Sequence, residues 1–249
     1  MGVVDSKANA IWSSWSAAQK LLIGNRPYIR IGQNGTNRVD LICTDGHPGE
    51  TTTSVWHFYY SAGTFHKSDG TALGAPPFDV ADLTKVYHGS VVTSWVWDVR
   101  HDAQGRPVAV YATFPNAPTD HRYCYARWNG AAWVNGEICA AGGTLYPIGD
   151  EAQPYYSGGI CLDPDDVSVV YCSIETGTDG PHRNGGTFQI WRGATREGGE
   201  TWDMSQLLKV DDDCFRPFKP PGSNKILFVQ GLYTSYTSYE TKITSLAVG

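Results

Sequence analysis

Four side chains in this 249-residue sequence have the types needed to move a proton beside an anion. His47 follows an apolar run and a Thr-Asp-Gly turn in "LICTDGHPGE", and His66 closes an extended pair in "AGTFHKSDG". Tyr111 lies in "VAVYATF", and Arg127 stands sixteen residues later in "YCYARWNG". A neutral imidazole accepts a proton near neutral pH, and a phenol donates one or, ionised, accepts one. A guanidinium holds a carboxylate with paired donors. Each residue also has a structural reading. Asp-Gly and X-Pro dipeptides mark turns wherever they occur, so His47 is locally a turn residue. Tyr111 fits a core position, Arg127 a rim charge over Trp128, and His66 a solvated turn. Their weight is collective.

Something must position them, and internal repetition shows what it is. Four segments share an extended run, a polar turn and an apolar run ending in small residues: "YIRIGQNGTNRVDLICTD", "WVWDVRHDAQGRPVAVYAT", "GGICLDPDDVSVVYCS" and "CFRPFKPPGSNKILFVQG". Their second runs begin near Val39, Val108, Val169 and Ile226, a period of roughly sixty residues. The first three are followed by a further strand-like pair, and Asn129-Gly130 between aromatic runs is a hairpin signal. Two hairpins per repeat make a four-stranded meander, the blade of a β-propeller. The expected fold is therefore all-β, one propeller domain over residues 1–249 built of four-stranded antiparallel blades, with four repeats visible. "IWSSWSAAQKLL" at the start is expected to supply an outer strand that closes the ring with the last repeat. A complete propeller of four or five blades and a portion of a larger one both fit this count. "TREGGETW" resembles the Asp-box of sialidase-type propellers, with Glu197 where that motif has Asp. Such boxes sit on the turn of a blade's outer hairpin and report architecture.

Composition agrees and excludes other classes. Gly (28), Trp (9) and Tyr (14) abound while Met (2) is scarce, which suits short strands with tight turns. A net charge of −6 without a long basic run argues against nucleic acid as a partner. No apolar stretch reaches membrane-spanning length, and "MGVVDSKANAIW" lacks the pattern of a signal peptide. The six cysteines show no C-x-x-C spacing. A turn near Asp166 would set Cys161 opposite Cys172, as a cross-strand disulfide or as small buried thiols.

Several stretches resemble the bacterial BNR-4 repeat proteins, and among them the ulvan lyases of the propeller type. They are "RPYIRIGQNGTNRVDLICTDGHP", "SVWHFYYSAGTFHKSDG", "GRPVAVYAT" with "YCYARWNGAAW", and "YYSGGICLDPDDVSVVYCS". The resemblance implies a seven-bladed fold and an active centre of His47, His66, Tyr111 and Arg127. The family's chain before the T-D-G-H-P turn is longer than the 46 residues present here. The implied reaction is β-elimination from a uronic-acid polysaccharide. Arg127 would neutralise the carboxylate so that the C5 proton becomes acidic. His47 and Tyr111 would share the base and acid roles, with His66 assisting. Tyr156 and Arg216 are expected to bind substrate. This chemistry requires no cofactor, and a structural metal ion is compatible with it. The expected partner is an anionic polysaccharide met outside the cell by a monomer.

Two other readings compete. A glycoside hydrolase needs two carboxylates facing the scissile bond, and Glu151, Glu175 and Asp211 to Asp213 nominate no clear pair. A non-catalytic carbohydrate-binding or adhesin propeller would use the many Trp and Tyr as stacking platforms.

Overall fold

The computed structural model describes residues 17–24, 26–34, 37–146, 153–235 and 237–248. The four sequence repeats become four successive antiparallel sheets. The second runs Ser94–His101, Pro107–Asn116, Asp120–Trp128 and Trp133–Gly142 as a simple meander. The third repeats that order with Ile160–Leu162, Val169–Thr176, Thr187–Ala194 and Asp203–Gln206. The fourth has three strands, Asp213–Phe218, Lys225–Ser235 and Ser238–Ala247. The first begins Ile29–Asn34, Arg38–Thr44 and Val55–Ser61, then continues through Thr64–His66 and Ala72–Gly74. Thr84–Tyr87 also pairs with Val55–Ser61.

Local chemistry explains the hairpins. Asn129 Oδ1 accepts the N–H groups of Ala131 and Ala132, both at 2.9 Å, and Gly130 takes the left-handed φ of 103° that the turn requires. Asp102 closes the preceding hairpin of the same sheet by accepting from Gln104 and Arg106. "TREGGETW" lies, as expected, on the outer hairpin of the third sheet. There Thr195 Oγ1 accepts from Gly199, and Trp202 packs edge-on against Tyr125 at 5.2 Å. Glu197 fills the Asp position and accepts from Thr201 Oγ1 at 3.0 Å.

Strands buried on both faces carry the core. In Pro107–Asn116, Val108, Val110, Ala112 and Phe114 pack toward the third sheet with Tyr123 and Tyr125. Ala109 and Tyr111 pack the other way, with Ile42, Val55 and Val86 of the first. The strand that opens each sheet packs on the opening strand of the next: Ile29–Asn34 on Ser94–His101, that on Ile160–Leu162, and that on Asp213–Phe218. We call these the lead strands. They approach so closely that a Cβ on Gly32 would lie 2.1 Å from the Val99 carbonyl oxygen.

A buried ionic knot joins the first two sheets. Asp40, fully buried, accepts from Arg38 Nε at 2.7 Å, from His57 Nε2 at 2.8 Å and from His101 Nε2 at 2.7 Å. Trp133 Nε1 donates to Ser68 Oγ at 2.9 Å, and Ser68 in turn contacts His57 Nδ1 at 2.7 Å. The chain of donors is complete with His57 neutral. Burial lowers the His57 pKa accordingly, against the opposing pull of Asp40. Burial also pushes Asp40 up, but its bonds from His101, His57 and Arg38 together hold it far below the usual carboxylate range.

Two expectations are corrected. The first half of the stretch expected to close the ring, residues 11–16, lies outside the described residues. Its last residue, Leu22, pairs in parallel with Phe78, and the next, Ile23, with Asp79, rather than with the last sheet. Cys161 faces Tyr171 and Cys172 faces Ile160, one residue out of register. The two thiols therefore point to opposite faces, one into the core between the third and fourth sheets and one toward the second. All six cysteines are free.

Asp40→Asn is expected to destabilise the protein by about 3–5 kcal/mol, because it leaves buried donors without their anion. Chemical denaturation checks this. In the wild type, stability should fall as pH drops below about 6.5, where unfolded His57 takes a proton that the folded ring refuses. It should fall further below about 3.9, where the unfolded form of Asp40 protonates first.

Candidate functional site

A cavity of about 760 Å³ opens where the lead strands meet. Each sheet contributes to it. Tyr28 and Arg30 come from the first, Trp95 and Trp97 from the second, Tyr155 and Tyr156 from the approach to the third, and Arg216 from the fourth. Trp97 is the extra residue of a bulge, since Val96 faces Tyr111 and Asp98 faces Val110 on the next strand.

Arg216 is aimed by strain. It sits at a register break between Phe215 and Phe218, with φ of 52°, and its N–H donates to the Gly158 carbonyl at 2.6 Å. A non-glycine residue held there costs on the order of 1–3 kcal/mol, more readily tolerated where position matters. Gly159 makes the space. Its φ is 109°, and a Cβ there would lie 3.0 Å from the Trp97 ring and 3.1 Å from Arg216 Cα.

The Arg30 guanidinium lies 5.7 Å from the centre of the Trp97 ring. Partial burial lowers its pKa, the nearby Arg216 charge lowers it further, and Asp98 opposes both. Solvent reaches the side chain through the cavity mouth, although protein surrounds much of it. Among the described residues, neither Arg30 nor Arg216 is paired with a carboxylate, and the cavity lining includes no Asp or Glu. Two cations share an aromatic cup. An anion is what that arrangement lacks.

Edge-on rings run along one wall: His47 to Trp95 at 5.2 Å, Trp95 to Tyr156 at 5.0 Å, and Tyr156 to Tyr146 at 5.3 Å. Tyr28 stands 4.8 Å from Trp95 and 5.6 Å from His47. Arg26 Nη2 donates to the Tyr28 hydroxyl oxygen at 3.1 Å. His47 Nδ1 accepts the Gly49 N–H at 3.0 Å, so its neutral ring carries the proton on Nε2. Burial lowers the His47 pKa and Arg26 adds to this, while Glu50 acts the other way.

The expected set does not converge. Of the six residues, His47, Tyr156 and Arg216 gather at this cavity. Tyr111 is only 1 % exposed, and its hydroxyl donates to Asn135 Oδ1 at 2.8 Å. Burial raises its pKa far above that of a free phenol. It is a core residue. Arg127 pairs across the strands with Val108, three residues from Tyr111, and so lies on the opposite face of the sheet. It lines a separate cavity of about 420 Å³ with Glu197 and Glu200. His66 stacks on Tyr59 at 4.9 Å and its Nδ1–H meets the Gly70 carbonyl at 3.1 Å, a turn lock on the first sheet. Glu151 lies outside the described residues. Glu175 accepts from Gly143, Asn184 and Gly186, and Asp213 is buried against His182, so neither faces the cavity. Arg30, Tyr28, Trp95 and Trp97 were missed. The alternations Tyr28-x-Arg30 and Trp95-x-Trp97 were the available signal.

The profile described as "BNR repeat-containing family member" matches residues 5–140. No curated protein matches the sequence. Among solved structures, an ulvan lyase of a polysaccharide lyase family aligns at 15% identity with a TM-score of 0.59, over 90% of this chain and 51% of that one. An ulvan lyase bound to -[GlcA(1-4)Rha3S]- aligns at 16% and 0.57, with the same coverage. A Penicillium chrysogenum α-L-arabinanase with arabinobiose reaches 12% identity and 0.49, over 88% of this chain and 61% of that one, too slight to bear on function. The first two likenesses show a fold of the propeller type. The chain spans about half the length of the ulvan lyases it matches.

His47 is expected to titrate below the ordinary 6.5, and Glu50→Gln to lower it further by removing the charge that favours imidazolium. Nitrogen chemical shifts of the imidazole, followed through pH, check both the direction and the Nε2–H tautomer. Tyr111→Phe is expected to cost about 1 kcal/mol of stability, since it leaves Asn135 Oδ1 without its donor. Denaturant unfolding measures it.

Proposed function

The chain belongs to the BNR repeat-containing family, and from that footing we propose that it cleaves an anionic polysaccharide at an acidic sugar held in the lead-strand cavity. The observation that carries the reading is the pair of unpaired guanidiniums, Arg30 and Arg216, in a cup of Trp and Tyr. Sugar rings stack on aromatic faces, and a uronic carboxylate supplies the missing anion. The two ulvan lyases support this choice of substrate class without deciding it.

The reaction we assign is β-elimination. With Arg30 and Arg216 on the carboxylate, negative charge developing at C5 and spreading into the carboxyl group is stabilised as the proton leaves. Tyr28, with Arg26 donating to its oxygen, is the group we assign to take that proton. The Tyr28 hydroxyl then returns the proton to the departing O4, while His47 Nε2–H hydrogen-bonds that oxygen. These assignments give Arg30 and Arg216 the role first expected of Arg127, and Tyr28 the role first shared by Tyr111. No metal or cofactor is needed for these steps. The protein acts in this reading outside the cell, as a monomer, with its four sheets as propeller blades. The net charge of −6 does not oppose an anionic ligand, because the local field of the cavity is set by its two arginines. Hydrolysis is the weaker reading, since no carboxylate among the described residues lines the cavity.

Uronic-acid polysaccharides, ulvan first, are expected to yield an unsaturated product that absorbs in the ultraviolet. Arg216→Ala should lower that rate about a hundredfold or more, and His47→Ala should also impair it. New reducing ends without the absorbance would mean hydrolysis. Binding without either product would mean a recognition module.

A further inference from the structure

A second groove, of about 460 Å³, adjoins the cavity and shares Tyr155 with it. Its lining includes Pro48, Thr51, Thr52, Phe114 and Asn116, with no cation and no carboxylate. His47 stands at the junction. Its ring packs on Trp95 and Tyr28 on the cavity side, and its carbonyl accepts the Thr51 N–H at 3.2 Å on the groove side. A Cβ on Gly49 would lie 3.1 Å from His47 Nδ1 and 3.8 Å from the Tyr155 ring, so the turn brings the two rings close.

The wall between the two spaces is built. Tyr155 packs edge-on against Phe114 at 5.3 Å, and Phe114 against His121 at 4.7 Å. His121 Nε2 donates to the Pro154 carbonyl at 2.9 Å, fixing the segment that carries Tyr155. Burial lowers the His121 pKa to about 4, so this donor stays neutral at working pH. Thr51, Thr52 and Asn116 are exposed, and they present hydroxyls and an amide toward the groove mouth.

We propose that this groove is the subsite for the sugar next to the bound acidic one, and that the sugar it takes is uncharged on the face it presents. The proposal rests on the cavity binding an acidic sugar. One polysaccharide chain then runs from the Arg30–Arg216 cup past His47 into the threonine-lined groove. The scissile linkage lies at the junction, and the leaving unit departs along the groove. Hydroxyl and amide side chains exchange hydrogen bonds with sugar hydroxyls, whereas an anionic group directed into the groove would lose its water without gaining a cation. The groove thus sets a length requirement of more than one sugar and a preference for neutral partners.

Calorimetric titration with oligomers of alternating glucuronic acid and rhamnose tests this: a two-unit one whose glucuronic acid carries no sugar on O4, and a four-unit one whose inner glucuronic acid does. The four-unit oligomer is expected to bind wild type at least tenfold tighter than the two-unit one. In the double variant Thr52→Ala with Asn116→Ala, both exposed and so expected to fold, that ratio should fall to near one. Arg216→Ala should weaken both oligomers together. A wild-type ratio near one, or a ratio that survives the double variant, overturns the groove while leaving the cavity's effect through Arg216 intact. Failure of both oligomers to bind wild type overturns the cavity reading and the groove with it.

Discussion

The close approach of the four lead strands is the constraint from which the rest follows. At Gly32 there is no room for a Cβ beside Val99, and at Gly159 the backbone passes between the Trp97 ring and Arg216. A side chain at either point would push neighbouring sheets apart. The cavity is the space those strands leave where they meet, so its width depends on the same two glycines. Asp40 adds a second hold on the first two sheets. A buried carboxylate is costly alone, but here arginine and histidine donors from two sheets surround it.

That scaffold allows two like charges to stand near each other. Arg30 and Arg216 repel, and the fold accepts that repulsion together with a left-handed backbone at Arg216. In the proposed function, an incoming carboxylate relieves the first cost. The rings from His47 to Tyr146 form an aromatic wall beside the charge. Tyr28 and His47, the proton-handling groups of the proposed reaction, both pack on Trp95, on the same wall. Geometry therefore links recognition and chemistry through one tryptophan.

Much of this was legible in the sequence, and the limits are physical. Repeats, the Asn129-Gly130 hairpin and the turn around Glu197 rest on local chemistry, and local chemistry was enough. The four-residue centre was not legible, because chain order and interval say nothing about which face of a strand a residue takes. Tyr111 and Arg127 belong to neighbouring strands, yet the register puts them on opposite faces. Cys161 and Cys172 failed by a single residue of register. Tyr156 and Arg216 line the cavity and His47 packs beside it on Trp95, because turns and lead-strand ends gather where sheets converge. Arg30 was missed although it lies within the same "YIRIG" run, since only the packing of neighbouring lead strands shows which way that strand's alternating faces point.

A crystal structure of the protein with a glucuronic-acid-containing oligosaccharide is the most direct measurement of the central claim. The account predicts the carboxylate between the Arg30 and Arg216 guanidiniums, with the ring against Trp95 or Trp97 and the next sugar past His47. A carboxylate bound instead at Arg127, beside Glu197 and Gly198, would contradict it.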